Sequence, residues 1–198
     1  MERSIVVRRA QLARALRIVP YLTSDEVNLL ASEARKRRKG ERDTLLILLL
    51  YQTGLRISEA LSLTPSHIES FKGRPVLRFT GKGGKERVAA LPKRLADKLR
   101  AYAYEKGIKI NERFFPINRQ RSWQIIKEVS QKAGITKGVY PHLLRHSDAI
   151  ERLRQTGNPK ALQHHLGHSS PIMVMRYLST LTQEDSLGIQ QQVDFEEG

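Results

Sequence analysis

The run Leu45-Leu46-Ile47-Leu48-Leu49-Leu50 has no polar position on any side. A segment that is apolar all round belongs in the middle of a fold, so a buried central helix is predicted over 42–53, stopped by Gly54 in a left-handed conformation. Upstream, Thr23-Ser24-Asp25-Glu26 has the form of a capping box, in which a Thr and the Glu three residues on each satisfy an orphaned amide. The helix that it opens carries Val27, Leu29, Leu30 and Ala34 and ends in the basic cluster 35–39. Downstream, Ile57 to Leu63 reads as the next helix, which leaves Arg56 at the turn between the two. Residues 75–80 and 86–91 flank the Gly-rich stretch 81–85 and read as two antiparallel strands about a turn.

Helical periodicity then takes over. Leu95, Leu99 and Tyr102 form a stripe between Lys93 and Gly107, and Trp123, Ile126, Val129 and Ser130 are predicted to face inward from a helix over 119–133. Pro141 suits the first turn of a helix that runs through Leu143, Leu144, Ser147, Ile150 and Leu153 to Gly157. A short helix over 160–166 follows, then one from Ser169 or Ser170 that carries Tyr177, and a weaker one over 183–193. The pattern predicts a mainly α fold with a small antiparallel β-hairpin or sheet, an α+β chain. Its expected divisions are a basic N-terminal linker or arm over 1–20, one folded domain over 21–180 and a C-terminal tail over 181–198.

Charge adds a partner to this outline. Thirty-five Lys and Arg against 20 Asp and Glu give a net +15 and a pI near 10.4, a balance that points to a polyanion. An acidic membrane surface fits the same balance, but no apolar run approaches the roughly 18 residues of a spanning helix. The N-terminus MERSIVVRRAQ has no uninterrupted apolar region of the secretory kind. The absence of cysteine rules out disulfides, thiolate-held zinc and Cys nucleophiles, and suits a cytoplasmic or nucleoid-associated protein.

The candidate chemistry is concentrated. His142, Arg145, His168 and Tyr177 fall in fewer than forty residues, and Arg56 waits upstream. Two guanidinium forks suit a tetrahedral phosphate, because each donates parallel hydrogen bonds to non-bridging oxygens and offsets charge that grows there. Imidazoles and a phenol supply proton transfer and a nucleophile. An arginine beside a buried helix needs a counter-charge, and Glu59, three residues after Arg56, can face it. His164 and His168 stand four apart, but no carboxylate or thiol accompanies them and Gly167 breaks the helix between them, so no metal and no cofactor is expected.

Five motifs then stand in one order: Gly54-Leu55-Arg56-Ile57-Ser58-Glu59, Gly81-Lys82-Gly83-Gly84-Lys85, His142-Leu143-Leu144-Arg145-His146, Leu166-Gly167-His168, and Tyr177 nine residues after that His. In these the chain resembles the tyrosine recombinases, the phage integrase family. The resemblance implies that Tyr177 attacks a scissile DNA phosphate, that Arg56 and Arg145 bind its non-bridging oxygens and that His168 donates a further hydrogen bond. It also implies that His142 assists proton removal from Tyr177, that Lys82 protonates the departing 5′-oxygen, with Lys85 the competing candidate, and that Glu59 is a structural support. Lys85, Arg87, Arg119 and Arg121 are candidate contacts to the DNA, Arg87 to its backbone and Arg119 and Arg121 to its groove or backbone. The implied partner is double-stranded DNA, bound by two to four copies of the chain, with the tail docking on a neighbouring copy. The separate helical core-binding domain common in the family does not precede these motifs, which suggests an isolated catalytic domain or a short member similar in size to the fimbrial phase-switch recombinases. The alternatives are a type IB topoisomerase-like nicking and religating activity, or a DNA-binding regulator that has lost catalysis. The family usually has an aromatic where this chain has Asp148; a carboxylate there can pair with Arg145 or with another base.

Overall fold

The computed structural model describes residues 18–80, 86–167 and 171–190, without the side chain of Thr80. The helices among them are α1 (Ser24–Arg35), α2 (Gly40–Thr53), α3 (Ile57–Ser62), α4 (Lys93–Glu105), α5 (Arg119–Lys132), α6 (Pro141–Thr156), α7 (Pro159–Leu166) and α8 (Ile172–Gln190). Between α3 and α4 lie the strands β1 (Ile68–Phe71), β2 (Arg74–Thr80) and β3 (Glu86–Ala90), an antiparallel sheet in the order β1-β2-β3.

The all-apolar helix lies where its composition requires. α2 buries Leu45, Leu46, Ile47, Leu49 and Leu50 and packs against α1, α4 and α6. The capping box at Thr23 and Glu26 forms at the start of α1, and the Asn118 and Asn158 side chains cap α5 and α7 by accepting the Arg121 and Ala161 amides. A large core gathers α1 to α6 and the inner face of the sheet; a second, smaller one lies where Ala149, Ile150 and Leu153 of α6 meet Leu162 and Leu166 of α7 and Val174, Tyr177 and Leu181 of α8. Residues 18–23 strap this second core. The Val19 amide donates to Thr180 Oγ1 (3.0 Å), and the Tyr21 hydroxyl donates to Glu184 (2.9 Å).

The structure corrects the pattern at four places. A third strand, β1, joins the expected pair. It is short and mostly exposed, and it forms because Lys72 and Gly73, with φ 50° and 74°, make a two-residue turn that closes Phe71 onto Arg74. Leu29 and Trp123 face outward. Val27, Leu30 and Ala34 make the buried stripe of α1, and Ser122, Ile125, Ile126 and Val129 that of α5, so each neighbour is turned off the stripe. The two helices expected around Tyr177 and over 183–193 are one helix, α8, to Gln190, because residues 178–187 hold neither Gly nor Pro to break the turn.

Gly54 and Gly157 both end helices at positive φ, 58° and 59°. Gly157 has open space where a Cβ would go, whereas a Cβ on Gly54 would lie 2.5 Å from Asp148 Oδ2. Gly157→Ala therefore bears only the left-handed backbone, on the order of 1–2 kcal/mol. Gly54→Ala adds a steric clash and should lose clearly more in urea unfolding; equal losses would contradict tight packing beneath that turn.

Candidate active site

The site is built on the C-terminal end of α2. The last carbonyls of a helix have no partner inside it, and here two arginines of α6 supply them. Arg152 Nη2 donates to the Gln52 carbonyl (2.7 Å), and Arg145 donates through Nη1 to the Gly54 carbonyl and through Nη2 to that of Leu166 (2.7 Å). Arg145 is only 2% exposed. Loss of hydration, and then repulsion from Arg56 and Arg87, lowers its pKa to about 10, which leaves it cationic at neutral pH.

Glu59 organises the other two guanidinium groups. Arg56 occupies the N-cap of α3, and Glu59 reaches back to accept its amide (2.7 Å) and its Nη1 (2.8 Å), while Glu59 Oε2 also accepts from Arg87 Nη1 (2.8 Å). Burial alone would raise the Glu59 pKa, but the Arg56 amide, Arg87 and the Arg56 guanidinium outweigh it and hold the carboxyl below its ordinary value. Glu59 thus accepts from two arginines. Arg87, a candidate contact to the DNA backbone, has a side chain only 10% exposed. Its guanidinium lies inside, between Glu59 and the carbonyl of His165 (2.7 Å), against Gly167, where a Cβ would come within 2.9 Å of Nε. Arg56 is the cation of this group that solvent reaches, with a side chain 37% exposed.

His142, Arg145 and His146 are three and four apart on α6 and share a face. Opposite them, on α8, Tyr177 is 1% exposed and its hydroxyl is 2.7 Å from His146 Nδ1. The ring of His142 meets that of His146 edge-on at 5.0 Å between centroids. The imidazole in contact with the phenol is therefore His146, with His142 behind it. Sequence reasoning missed His146, although its i, i+4 relation to His142 was the signal. Burial raises the Tyr177 pKa to about 12 against the opposing pull of Arg145, and Asp148 pushes it further up. Loss of hydration, then Arg145 and Arg56, lowers that of His142, which stays neutral.

Asp148 is buried and pairs not with Arg145 but with two other bases, Arg152 Nε (2.7 Å) and His165 Nε2 (2.9 Å). His165 is the second residue that sequence reasoning missed; nothing local links it to a carboxylate seventeen positions away. Arg119 and Arg121 stand exposed in the first turn of α5, and Arg121 leans on Gln124 and Glu128. Lys82, Lys85 and His168 lie outside the described residues. Among those described, no three His, Asp or Glu residues are grouped so as to hold a metal ion, and no helix is long and apolar enough to cross a membrane.

Comparison with known proteins gives the family. A family model described as the phage integrase family matches residues 20–184. This chain belongs to that family. It is 39% identical over 157 residues to tyrosine recombinase XerA of Thermococcus kodakarensis, covering 75% of this chain and 54% of that protein. The catalytic domain of bacteriophage HP1 integrase is similar in structure, with a TM-score of 0.65 and 26% identity over 88% of this chain and 95% of that one. The XerH site-specific recombinase bound to difH substrate shares the fold, with a TM-score of 0.72 at 22% identity, covering 85% of this chain and 53% of that one. The chain spans about half the length of the curated relatives it matches. The mainly helical fold with its small antiparallel sheet is the one expected of a phage integrase family member.

A phenol whose pKa is raised on folding favours the native state until the unfolded chain ionises. Tyr177, raised from 10.0 to about 12, contributes nothing pH-dependent below pH 10; stability falls as pH rises from about 10 to about 12, where the unfolded state alone loses the proton. The fall assigned to Tyr177 is on the order of 2 kcal/mol. Chemical unfolding of wild type and Tyr177→Phe at pH 9 and pH 11.5 checks this. The variant should lose less stability than wild type over that range, and equal losses would show that the resting phenol is not buried as described.

Proposed function

We propose that this chain cleaves and rejoins strands of double-stranded DNA at specific sites, through a covalent 3′-phosphotyrosyl link. The observation that carries the reading is the gathering of Arg56 and Arg145 about the end of α2, where Arg145 holds the Gly54 carbonyl two residues before Arg56, with the Tyr177 hydroxyl on His146, the residue after Arg145. A phosphodiester resists attack because it is anionic and its alkoxide leaves badly, so catalysis is mostly positioning and charge stabilisation. In this reading the Tyr177 oxygen bonds to phosphorus while the bond from phosphorus to the 5′-oxygen breaks. Arg56 and Arg145 take up the charge on the non-bridging oxygens, and His168 adds a hydrogen bond. His142 on α6 assists removal of the phenolic proton once the hydroxyl has left its resting partner His146, and Lys82 gives a proton to the departing 5′-oxygen. The phosphotyrosyl bond conserves the energy of the one broken, so a 5′-hydroxyl reverses the step without ATP.

Exchange between two duplexes requires four strand cuts and one Tyr177 for each, which calls for up to four copies of the chain on DNA. The net charge of +15 suits that partner, and Arg119 and Arg121 on α5 are further candidates to touch its backbone. The pair of guanidinium groups supplies the charge that a bound cation would supply in a nuclease.

The test uses a nicked duplex selected for binding from a randomised pool, with EDTA present. Wild type should give an SDS-resistant protein–DNA band, Tyr177→Phe should bind without giving one, and Arg56→Ala should form it slower by roughly 10²–10³-fold. An adduct that persists in Tyr177→Phe, or one that needs added Mg²⁺, would overturn the mechanism.

A further inference from the structure

We propose that Asp148 and His165 are positioning residues of this site: their hydrogen bond between α6 and α7 fixes the carbonyls that aim Arg145 and Arg87. The inference rests on the reading above only for its consequence in catalysis, since the positioning itself concerns the resting protein.

The geometry points to it in three ways. His165 and Leu166 form the end of α7, where carbonyls have no partner within the helix. The Leu166 carbonyl accepts Arg145 Nη2 (2.7 Å) and the His165 carbonyl accepts Arg87 Nη2 (2.7 Å), so the aim of both guanidinium groups depends on how that last turn is held. A helix end frays unless tied, and the tie here is the His165 ring, whose Nε2 is 2.9 Å from Asp148 Oδ2. The carboxylate is itself fixed, 3% exposed, with Oδ1 accepting from Arg152 Nε (2.7 Å). The pair also presses against the turn that carries the third carbonyl, that of Gly54. A Cβ on Gly54 would stand 2.5 Å from Asp148 Oδ2 and 3.0 Å from His165 Nε2.

Two apolar side chains would fill the same volume, but they would leave residue 165 free to turn about the helix end. A directional hydrogen bond does not. Among the described residues neither member hydrogen-bonds to Arg56, Tyr177 or His142, so the pair acts on the reaction through Arg145 and Arg87.

The test compares wild type with Asp148→Ala, His165→Ala, Asp148→Asn and the double alanine variant by two readouts. In resting protein labelled with ¹⁵N-arginine, the Nη signals of Arg145 and Arg87, assigned by substitution, should be dispersed by hindered rotation. They should collapse in both alanine variants, persist in Asp148→Asn, which keeps an oxygen for Arg152 and a polar partner for His165, and leave those of Arg37 unchanged. In single-turnover adduct formation on the nicked duplex, the alanine variants should be about 10²-fold slower with DNA affinity within about twofold. Asp148→Asn should recover most of the rate, and the double variant should be no slower than either single one. His165→Ala, at a ring 12% exposed against 3% for the Asp148 side chain, carries the test if Asp148→Ala fails to fold. Unchanged Arg145 and Arg87 signals in the alanine variants would overturn the proposal. Signals that collapse as stated in a protein that forms no adduct even as wild type would support the positioning and overturn the recombinase reading instead.

Discussion

Cationic groups gathered near the interior repel one another, and one carboxylate lets Arg56 and Arg87 share a site beside Arg145. Glu59 accepts from both guanidinium groups and from the Arg56 amide. An ion pair at about 4 Å in such a partly buried place is worth on the order of 4 kcal/mol before desolvation is subtracted. Removing one partner leaves an uncompensated charge, at a cost of about 3–5 kcal/mol. Arg145 has no such share of Glu59. It is held by carbonyl dipoles at two helix ends, which accept from two of its five N–H groups without cancelling its charge, and burial and its cationic neighbours both weaken its hold on the proton. A net positive field aimed at one place is what an anionic phosphate stabilises and is stabilised by.

The rest of the fold presents that arrangement. α2 buries Leu45, Leu46, Ile47, Leu49 and Leu50 among its neighbours, and its C-terminal turn is gripped by Arg145 and Arg152 from α6, with the hydroxyl of Thr53 turned back onto Leu49. α6 in turn packs on α8, so a single helix face sets His142, Arg145 and His146 against Tyr177. In the resting protein the phenol is shut in by this same packing and held on His146, with its proton bound more tightly than in water. Attack on a phosphate then requires that α8 release the hydroxyl, at the cost of one buried hydrogen bond and some apolar contact in the smaller core.

Much of this was legible in the sequence, for identifiable reasons. The polarity of Leu45 to Leu50 predicts the buried helix, Gly54 its end, and the three-residue spacing from Arg56 to Glu59 their pairing. The helix and the face that hold His142 and Arg145 follow from Pro141 and the 3.6-residue period. What escaped is non-local. Neither the contact between His146 and Tyr177 nor that between Asp148 and His165 is encoded in any short-range pattern, since each joins helices that meet only in the folded core. The partners of Arg87 also escaped, because nothing nearby in the chain shows that Glu59 and the His165 carbonyl close over it. β1 was hidden by its shortness and exposure, and Trp123 misled because its size suggested burial where the stripe of Ser122, Ile125, Ile126 and Val129 did not include it.

The claim on which all of this turns is that the cluster around Glu59 receives a DNA phosphate and that Tyr177 leaves His146 to meet it. A crystal structure of Tyr177→Phe bound to an intact duplex tests it most directly. The account predicts the non-bridging oxygens of one phosphate within hydrogen-bonding distance of Arg56 and Arg145, with the ring at position 177 withdrawn from the smaller core and turned toward that phosphorus. A duplex seated elsewhere, with no phosphate on either arginine and the ring still packed on His146, would contradict it.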